Sequence, residues 1–190
     1  MEAKDVKTFF ERVSSDWDTM RLAYYDERVI EKMAEISGVG EDSKVADVGT
    51  GTGFVAAGIA PRVKRVVGVD NAPAMLAVAR KNLTALGVSN VNLKVGEATR
   101  LPLEDGSVDA AFANMVLHHA EHPTAMLLEM ARVVRPGGSV IITDEVEHRY
   151  AWMREEHADV WLGFARGQVE HFFAVAGLSE GYGYEPLGMQ

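Results

Sequence analysis

Asp47 and Asp70 are the residues whose placement could do chemistry. Each lies at the end of a short apolar run, Val45-Ala-Asp-Val48 and Arg65-Val-Val-Gly-Val-Asp70. The first run empties into three alternating glycines, Gly49, Gly51 and Gly53. Strand, glycine turn and helix bring a small cofactor against bare backbone. Glycine takes positive φ there and has no Cβ to hold a ligand away. A dinucleotide fingerprint is spaced G-x-G-x-x-G, to seat a pyrophosphate on the helix N-terminus. Here the spacing is G-x-G-x-G, and Asp47 stands two residues before the first glycine. A carboxylate at that place repels a pyrophosphate and welcomes a cationic ligand, such as one bearing an ammonium group. Asp70 is suited to accept bonds from the two hydroxyls of a ribose.

Three more strand ends carry polar groups. Gly96-Glu97-Ala98 offers a carboxylate for an exocyclic amine and an amide for a ring nitrogen. Asn114 is followed by Met115 and then His118-His119, and the last such end is Asp144-Glu145. Plainer readings stand beside each. The glycines could form only a tight turn, and Asp47 and Asp70 could cap the helices after them. Glu97 could be a solvated loop acid, and Asn114 could simply end a strand. His118 and His119 could pack, cap or face solvent. Met75 and Leu76 read equally as core or as cofactor wall. Trp17, Tyr24 and Tyr25 read as helix packing or as a lid, and Trp152 and Trp161 as core or pocket wall.

The elements that must position these groups follow from periodicity. Residues 4–38 read as helical, with Val6, Phe9, Phe10, Val13, Trp17 and Met20 near helical spacing and Gly38 as a stop. Lys44–Val48 is a strand, followed by a helix from Phe54 to Ala60. Arg65–Asp70 is the second strand and Ala74–Leu86 a helix between Pro73 and Gly87. Val91–Val95 and Val108–Met115 are strands. Thr124–Val134 is a helix closed by a tight turn at Arg135-Pro-Gly-Gly138, and Ser139–Asp144 is the fifth strand. Trp152–Phe164 and Gln168–Ala176 read as helices, and Tyr182–Leu187 as a sixth strand. Alternating strands and helices imply an α/β fold. Its sheet is doubly wound and mostly parallel, with helices on both faces. Ligands of such sheets lie beyond the carboxyl ends of the strands, where strand order switches.

At 190 residues the chain is expected to form one domain, 1–190. Within it, 1–38 reads as an N-terminal helical cap, 44–146 as a cofactor-binding core and 147–190 as C-terminal helices and a last strand. No apolar run approaches the roughly 20 residues that span a bilayer, and Met-Glu-Ala-Lys-Asp at the start lacks a signal-peptide pattern. There is no cysteine, which excludes disulfides, thiolate metal sites and a cysteine nucleophile and fits a cytoplasmic home. No metal-ligand set is read. The net charge of −9 argues against a nucleic-acid partner.

Taken together, these motifs resemble the class I S-adenosylmethionine-dependent methyltransferases. The resemblance runs from Val45 to Val146. It rests on Val-Ala-Asp-Val-Gly-Thr-Gly-Thr-Gly53, Val-Val-Gly-Val-Asp-Asn-Ala-Pro-Ala-Met-Leu76, the loop from Gly96 to Asp109, Leu117-His-His119 and Arg132-Val-Val-Arg-Pro-Gly-Gly138. It is nearest to the small-molecule branch that includes ubiquinone and menaquinone biosynthesis enzymes. The resemblance implies a Rossmann-like fold, S-adenosylmethionine as methyl donor and S-adenosylhomocysteine as product. It places the methionine end of the cofactor on Asp47 and the Gly49 backbone, within the loop that Gly51 and Gly53 complete. Asp70 would clamp the ribose, with Asn71 and Met75 flanking ribose and adenine. Glu97 and Ala98 would read the adenine edge, although the family more often carries the shorter aspartate at Glu97. Asn114, mainly through its carbonyl, would meet the ammonium. His119 and His118 are the candidate catalytic bases, with Glu145 and His148 behind them.

The acceptor is a small molecule on this reading. The lack of cysteine excludes capture of arsenic by thiolates, and Ala113-Asn-Met-Val116 is not the Asn/Asp-Pro-Pro-Tyr of enzymes that methylate base amino groups. The seventh, antiparallel strand usual in the family has no counterpart before Gln190. Either the sheet ends short, the chain lacks its natural end, or a partner chain covers the exposed edge, and self-association as a homo-oligomer is the expectation. Two alternatives stay open: a non-catalytic S-adenosylmethionine-binding module, and a nicotinamide-dependent oxidoreductase, which the glycine spacing and Asp47 disfavour.

Overall fold

The computed structural model describes residues 3–178 and 180–185. Among them the strands β1 (Lys44–Val48), β2 (Arg65–Asp70), β3 (Val91–Val95), β4 (Val108–Asn114) and β5 (Val134–Thr143) form one sheet in the order β3-β2-β1-β4-β5. Every pairing is parallel. The helices are α1 (Ala3–Val13), α2 (Trp17–Met20), α3 (Arg28–Ser37), α4 (Phe54–Ile59), α5 (Pro73–Ala85), α6 (Pro123–Val133), α7 (Met153–Glu156) and α8 (Arg166–Val175). The chain reverses its direction of travel across the sheet between β1 and β4, and that is the switch point where ligands of such sheets bind.

Both faces of the sheet are buried, as an all-parallel sheet requires. Successive side chains of a strand point to opposite faces. Ala46, Val48, Ala111 and Ala113 therefore join Met126, Leu127, Met130 and Val133 of α6 in one core. Val45, Ala110 and Phe112 join Met33 of α3 and Val55, Ala56 and Ile59 of α4 in the other. Asp47 lies on this second face, at the start of α4. So α3 covers the sheet, whereas α1 and α2 lean toward the switch point.

The chain departs from its sequence pattern in three places. Arg135-Pro-Gly-Gly138 is a bulge inside β5 rather than a turn before it. Val108 pairs with Val134, and Ala110 next pairs with Ser139. Helix from Trp152 stops at Glu156 instead of Phe164. Ala158 and Gly163 take φ of 62° and 65°, and the backbone of 160–164 bonds to His118 and Glu145 instead. Tertiary bonds outweigh helix propensity there. The strand expected over Tyr182–Leu187 is absent from 182–185, which is irregular. Gly181, Gly183 and the coming Pro186 work against a ladder; Pro186 and Leu187 lie outside the described residues.

Candidate functional site

A cavity of about 210 Å³ opens beyond the carboxyl ends of β1, β2 and β4. The glycine loop forms its floor. Gly49, Gly51 and Gly53 take φ of 68°, 54° and 86°, but each glycine serves a different need. A Cβ on Gly49 would lie 2.5 Å from Val116, and one on Gly53 would lie 3.3 Å from Ala79 of α5. Both are close-packing positions. The nearest atoms to a Cβ on Gly51 would be Met75 at 3.4 Å and Trp17 at 3.9 Å, both cavity-lining side chains, and the backbone oxygen of Gly49 at 4.0 Å.

Asp47 is 2% exposed and lines this cavity. Its Oδ2 accepts the Thr50 hydroxyl at 2.6 Å and the Ala56 N–H at 3.1 Å. It therefore caps α4 and faces the cavity at once. Burial pushes its carboxyl up to about 7, and the Thr50 and Ala56 bonds resist this. Asp70 accepts the Gly51 N–H at 2.8 Å and the Ala72 N–H at 2.9 Å. It ties the loop to the start of α5, and burial raises its carboxyl above the usual range. Asn71 donates to Glu97 at 3.0 Å. Met75, Glu97, Ala98 and Asn114 complete the wall. The Asn114 side-chain oxygen accepts the Thr143 hydroxyl at 2.7 Å, and Met115 turns the chain away at φ 56°. All ten residues expected to hold a cofactor are thus gathered around the loop; Gly53 supports it from behind.

Val6, Phe10, Trp17 and Tyr25 close the cavity from the N-terminal side. Trp17 and Tyr25 thus wall the cavity while also packing against the N-terminal helices, and Tyr24 bonds His157 at 2.9 Å beside a smaller cavity. Trp161 belongs to the core, donating to the Ala120 carbonyl at 2.9 Å and packing on Phe164; Trp152 is 45% exposed.

The two adjacent histidines part company. His119 lines the main cavity and its Nδ1 lies 3.2 Å from the Ala158 carbonyl, which leaves Nε2 as the free ring nitrogen. Burial, and then the neighbouring His118, lower its pKa well below the ordinary value. His118 is 3% exposed and lines only the smaller cavity. Its Nδ1 meets Asp144 at 2.7 Å. Burial alone would lower its pKa, but Asp144 outweighs that and lifts it to about 9. Glu145 and His148 bond each other at 2.8 Å, behind His118. Sequence reasoning missed Asp18, which straps the N-terminal segment to Thr52 and Asn82. It also missed Asp159, which a loop carries to the histidines.

The family described as "Methyltransferase domain" matches residues 46–142, just over half the chain. A demethylmenaquinone methyltransferase of Bacillus cereus is 30% identical over 173 residues, 88% of this chain and 68% of that protein. An arsenite methyltransferase of Halobacterium salinarum is 37% identical over 106 residues, 54% of this chain. The chain spans only 27% of that relative's length. A SAM-dependent methyltransferase from Aquifex aeolicus has the same fold at a TM-score of 0.68 and 24% identity, over 93% of this chain and 88% of that one. On the family match and the breadth of the Bacillus cereus alignment, the chain belongs to the class I S-adenosylmethionine-dependent methyltransferases.

Proposed function

We propose that the chain binds S-adenosylmethionine in the main cavity and transfers its methyl group to a small-molecule acceptor. One observation carries the reading. A buried carboxylate, a glycine loop, a ribose-type acid and an adenine-type edge line a single cavity at the switch point. In this assignment Asp47, the Gly49 backbone and the Asn114 carbonyl hold the methionine end. Gly51 and Gly53 shape the loop, and Asp70 takes the ribose hydroxyls between Asn71 and Met75. Ala98 and Glu97 meet the adenine, with Glu97 steadied by its bond from Asn71.

The reaction is an in-line displacement, with the acceptor atom attacking the sulfonium methyl and S-adenosylhomocysteine leaving. The leaving group is already activated, so the protein aligns the partners and keeps water out. Val6, Phe10, Trp17 and Tyr25 supply the apolar closure, which suits an apolar or aromatic acceptor. His119 is the imidazole placed to take a proton from an acceptor that needs one; His118 sits behind it and holds Asp144. Among the described residues no strand pairs with the outer edge of β5, which therefore also offers backbone groups to a second copy, and light scattering that finds only monomer at high concentration removes that part.

Calorimetry with S-adenosylmethionine, S-adenosylhomocysteine and NAD tests the proposal. Binding of the two adenosyl ligands supports it, and tight binding of NAD alone overturns it. Methyl transfer in a metabolite panel then separates an enzyme from a binding module.

A further inference from the structure

We propose that His118, His119 and Asp159 bind one divalent first-row transition-metal ion, at a site that cofactor binding does not require. Asp159 is 0% exposed, and neither of its carboxylate oxygens has a hydrogen-bond partner among the described residues. Buried carboxylates are hydrogen-bonded, paired at close range or coordinated to a cation, because leaving one bare is costly. Asp159 lacks the first and has only distant imidazoles for the second. Its Oδ1 lies 3.7 Å from His118 Nε2 and 4.0 Å from His119 Nδ1. Both separations are too long for hydrogen bonds. They are near the spacing of two ligands on one ion, about 3.4 Å for tetrahedral bonds of about 2.1 Å.

The surroundings favour the same ligand. The donor atoms of His118, His119 and Asp159 lie within 4.8 Å of one another. Asp144 binds His118 Nδ1 at 2.7 Å and accepts the Leu117 N–H at 2.9 Å. This fixes the ring with Nε2 toward Asp159, the carboxylate–histidine arrangement that orients a metal ligand. Glu145 and His148 also approach Asp159, the donor atoms of these three lying within 4.8 Å of one another. Asp144, Glu145 and Asp159 together set three carboxylates around His118, more than the one imidazolium charge they surround. A cavity of about 20 Å³ adjoins the cluster, room for one ion or water. Two imidazoles and a carboxylate without thiolate suit zinc, iron(II), cobalt(II) or nickel(II) better than magnesium or calcium. When His119 ligates through Nδ1 it gives up its contact with the Ala158 carbonyl and its proton moves to Nε2, so the metal-loaded imidazole no longer serves as a base.

The test uses the metal-stripped full chain, titrated with Co²⁺ by visible absorption and with Zn²⁺ by calorimetry. One equivalent binds saturably, with ligand-field bands for Co²⁺, and Zn²⁺ raises Tm. Asp159→Asn abolishes this binding, and Asp144→Asn, which disturbs only the orienting partner, weakens it about 10–100-fold. His171→Gln, at an exposed position of α8, leaves it unchanged. The proposal is overturned if the wild-type chain binds neither ion saturably, if folded Asp159→Asn binds as the wild type does, or if His171→Gln removes the binding. Should Asp159→Asn fail to fold, the wild-type titration and Asp144→Asn decide. Adenosyl-ligand binding is scored separately, so failure here leaves the methyl-transfer reading intact.

Discussion

Asp18 accepts the Thr52 hydroxyl at 2.7 Å. The same carboxylate accepts the Asn82 amide at 2.8 Å, and Asn82 also donates to the Thr52 carbonyl at 3.1 Å. One acid of the N-terminal segment thus holds the glycine loop and α5 together. Trp17, its neighbour in the chain, hangs over the cavity.

Asp18→Ala should therefore free the N-terminal segment over the cavity and also release Thr52 of the glycine loop. Bonds to a charged acceptor contribute about 1.5–3 kcal/mol each, and less where the acceptor is partly solvated, as Asp18 is. A net loss of about 1–2 kcal/mol is expected, read as a roughly tenfold weaker affinity for S-adenosylhomocysteine. Calorimetry showing wild-type affinity would remove Asp18 from the lid.

Asp70→Ala strips the acceptor from the Gly51 and Ala72 N–H groups and, in the proposed complex, from the ribose. The expected loss in adenosyl-ligand binding is at least about 100-fold, near 3 kcal/mol. Asp70→Asn should fall between, since it keeps a single acceptor oxygen. An Asp70→Ala chain that folds and binds normally would cancel the ribose assignment.

The Asp47 carboxyl sets a pH dependence. Its folded pKa is raised to about 7, against about 3.9 when unfolded. Between those values the folded chain holds a proton that the unfolded chain has released. Stability from this group therefore falls as pH rises from about 4 to about 7, and levels off above. Asp70, also raised by burial, acts with the same sign. A ligand ammonium beside Asp47 favours its ionised form. Binding of S-adenosylhomocysteine at about pH 6 should then release protons, seen as an enthalpy that depends on the buffer, and affinity should rise toward pH 7. A buffer-independent enthalpy at that pH would place the ammonium elsewhere.

The strand ends were legible because each is a local pattern: an apolar run, then an acid or a glycine. That is why Asp47, Asp70, Ala98 and Asn114 are legible as groups that line one cavity. The cap roles of Asp47 and Asp70 were legible too, but only as rivals to ligand binding, whereas Asp47 does serve the helix while facing the cavity. What was not legible depends on contacts between distant parts of the chain. His118 and His119 are neighbours in sequence, yet one faces Asp144 and the other the main cavity. Asp159 reaches them only because Ala158 and Gly163 break what reads as a helix. Asp18 gives no sign in the sequence of bonding Thr52, since the two lie 34 residues apart and an acid in a short helical turn reads as solvated.

Gly49 and Gly51 can be told apart by one substitution each. Alanine at either position must adopt positive φ, at about 1–2 kcal/mol, a few degrees of Tm in a chain of this size. Gly49→Ala also drives its methyl group to 2.5 Å from Val116, and such overpacking adds about 1–3 kcal/mol. Gly51→Ala meets nothing closer than Met75 at 3.4 Å, but its methyl group stands in the cavity. Thermal unfolding should therefore show the larger drop for Gly49→Ala. Calorimetry on the folded variants should show that Gly51→Ala loses affinity out of proportion to its stability, since its methyl group occupies space reserved for the ligand. If Gly51→Ala binds S-adenosylhomocysteine as tightly as the wild type, the ligand does not lie against this part of the loop.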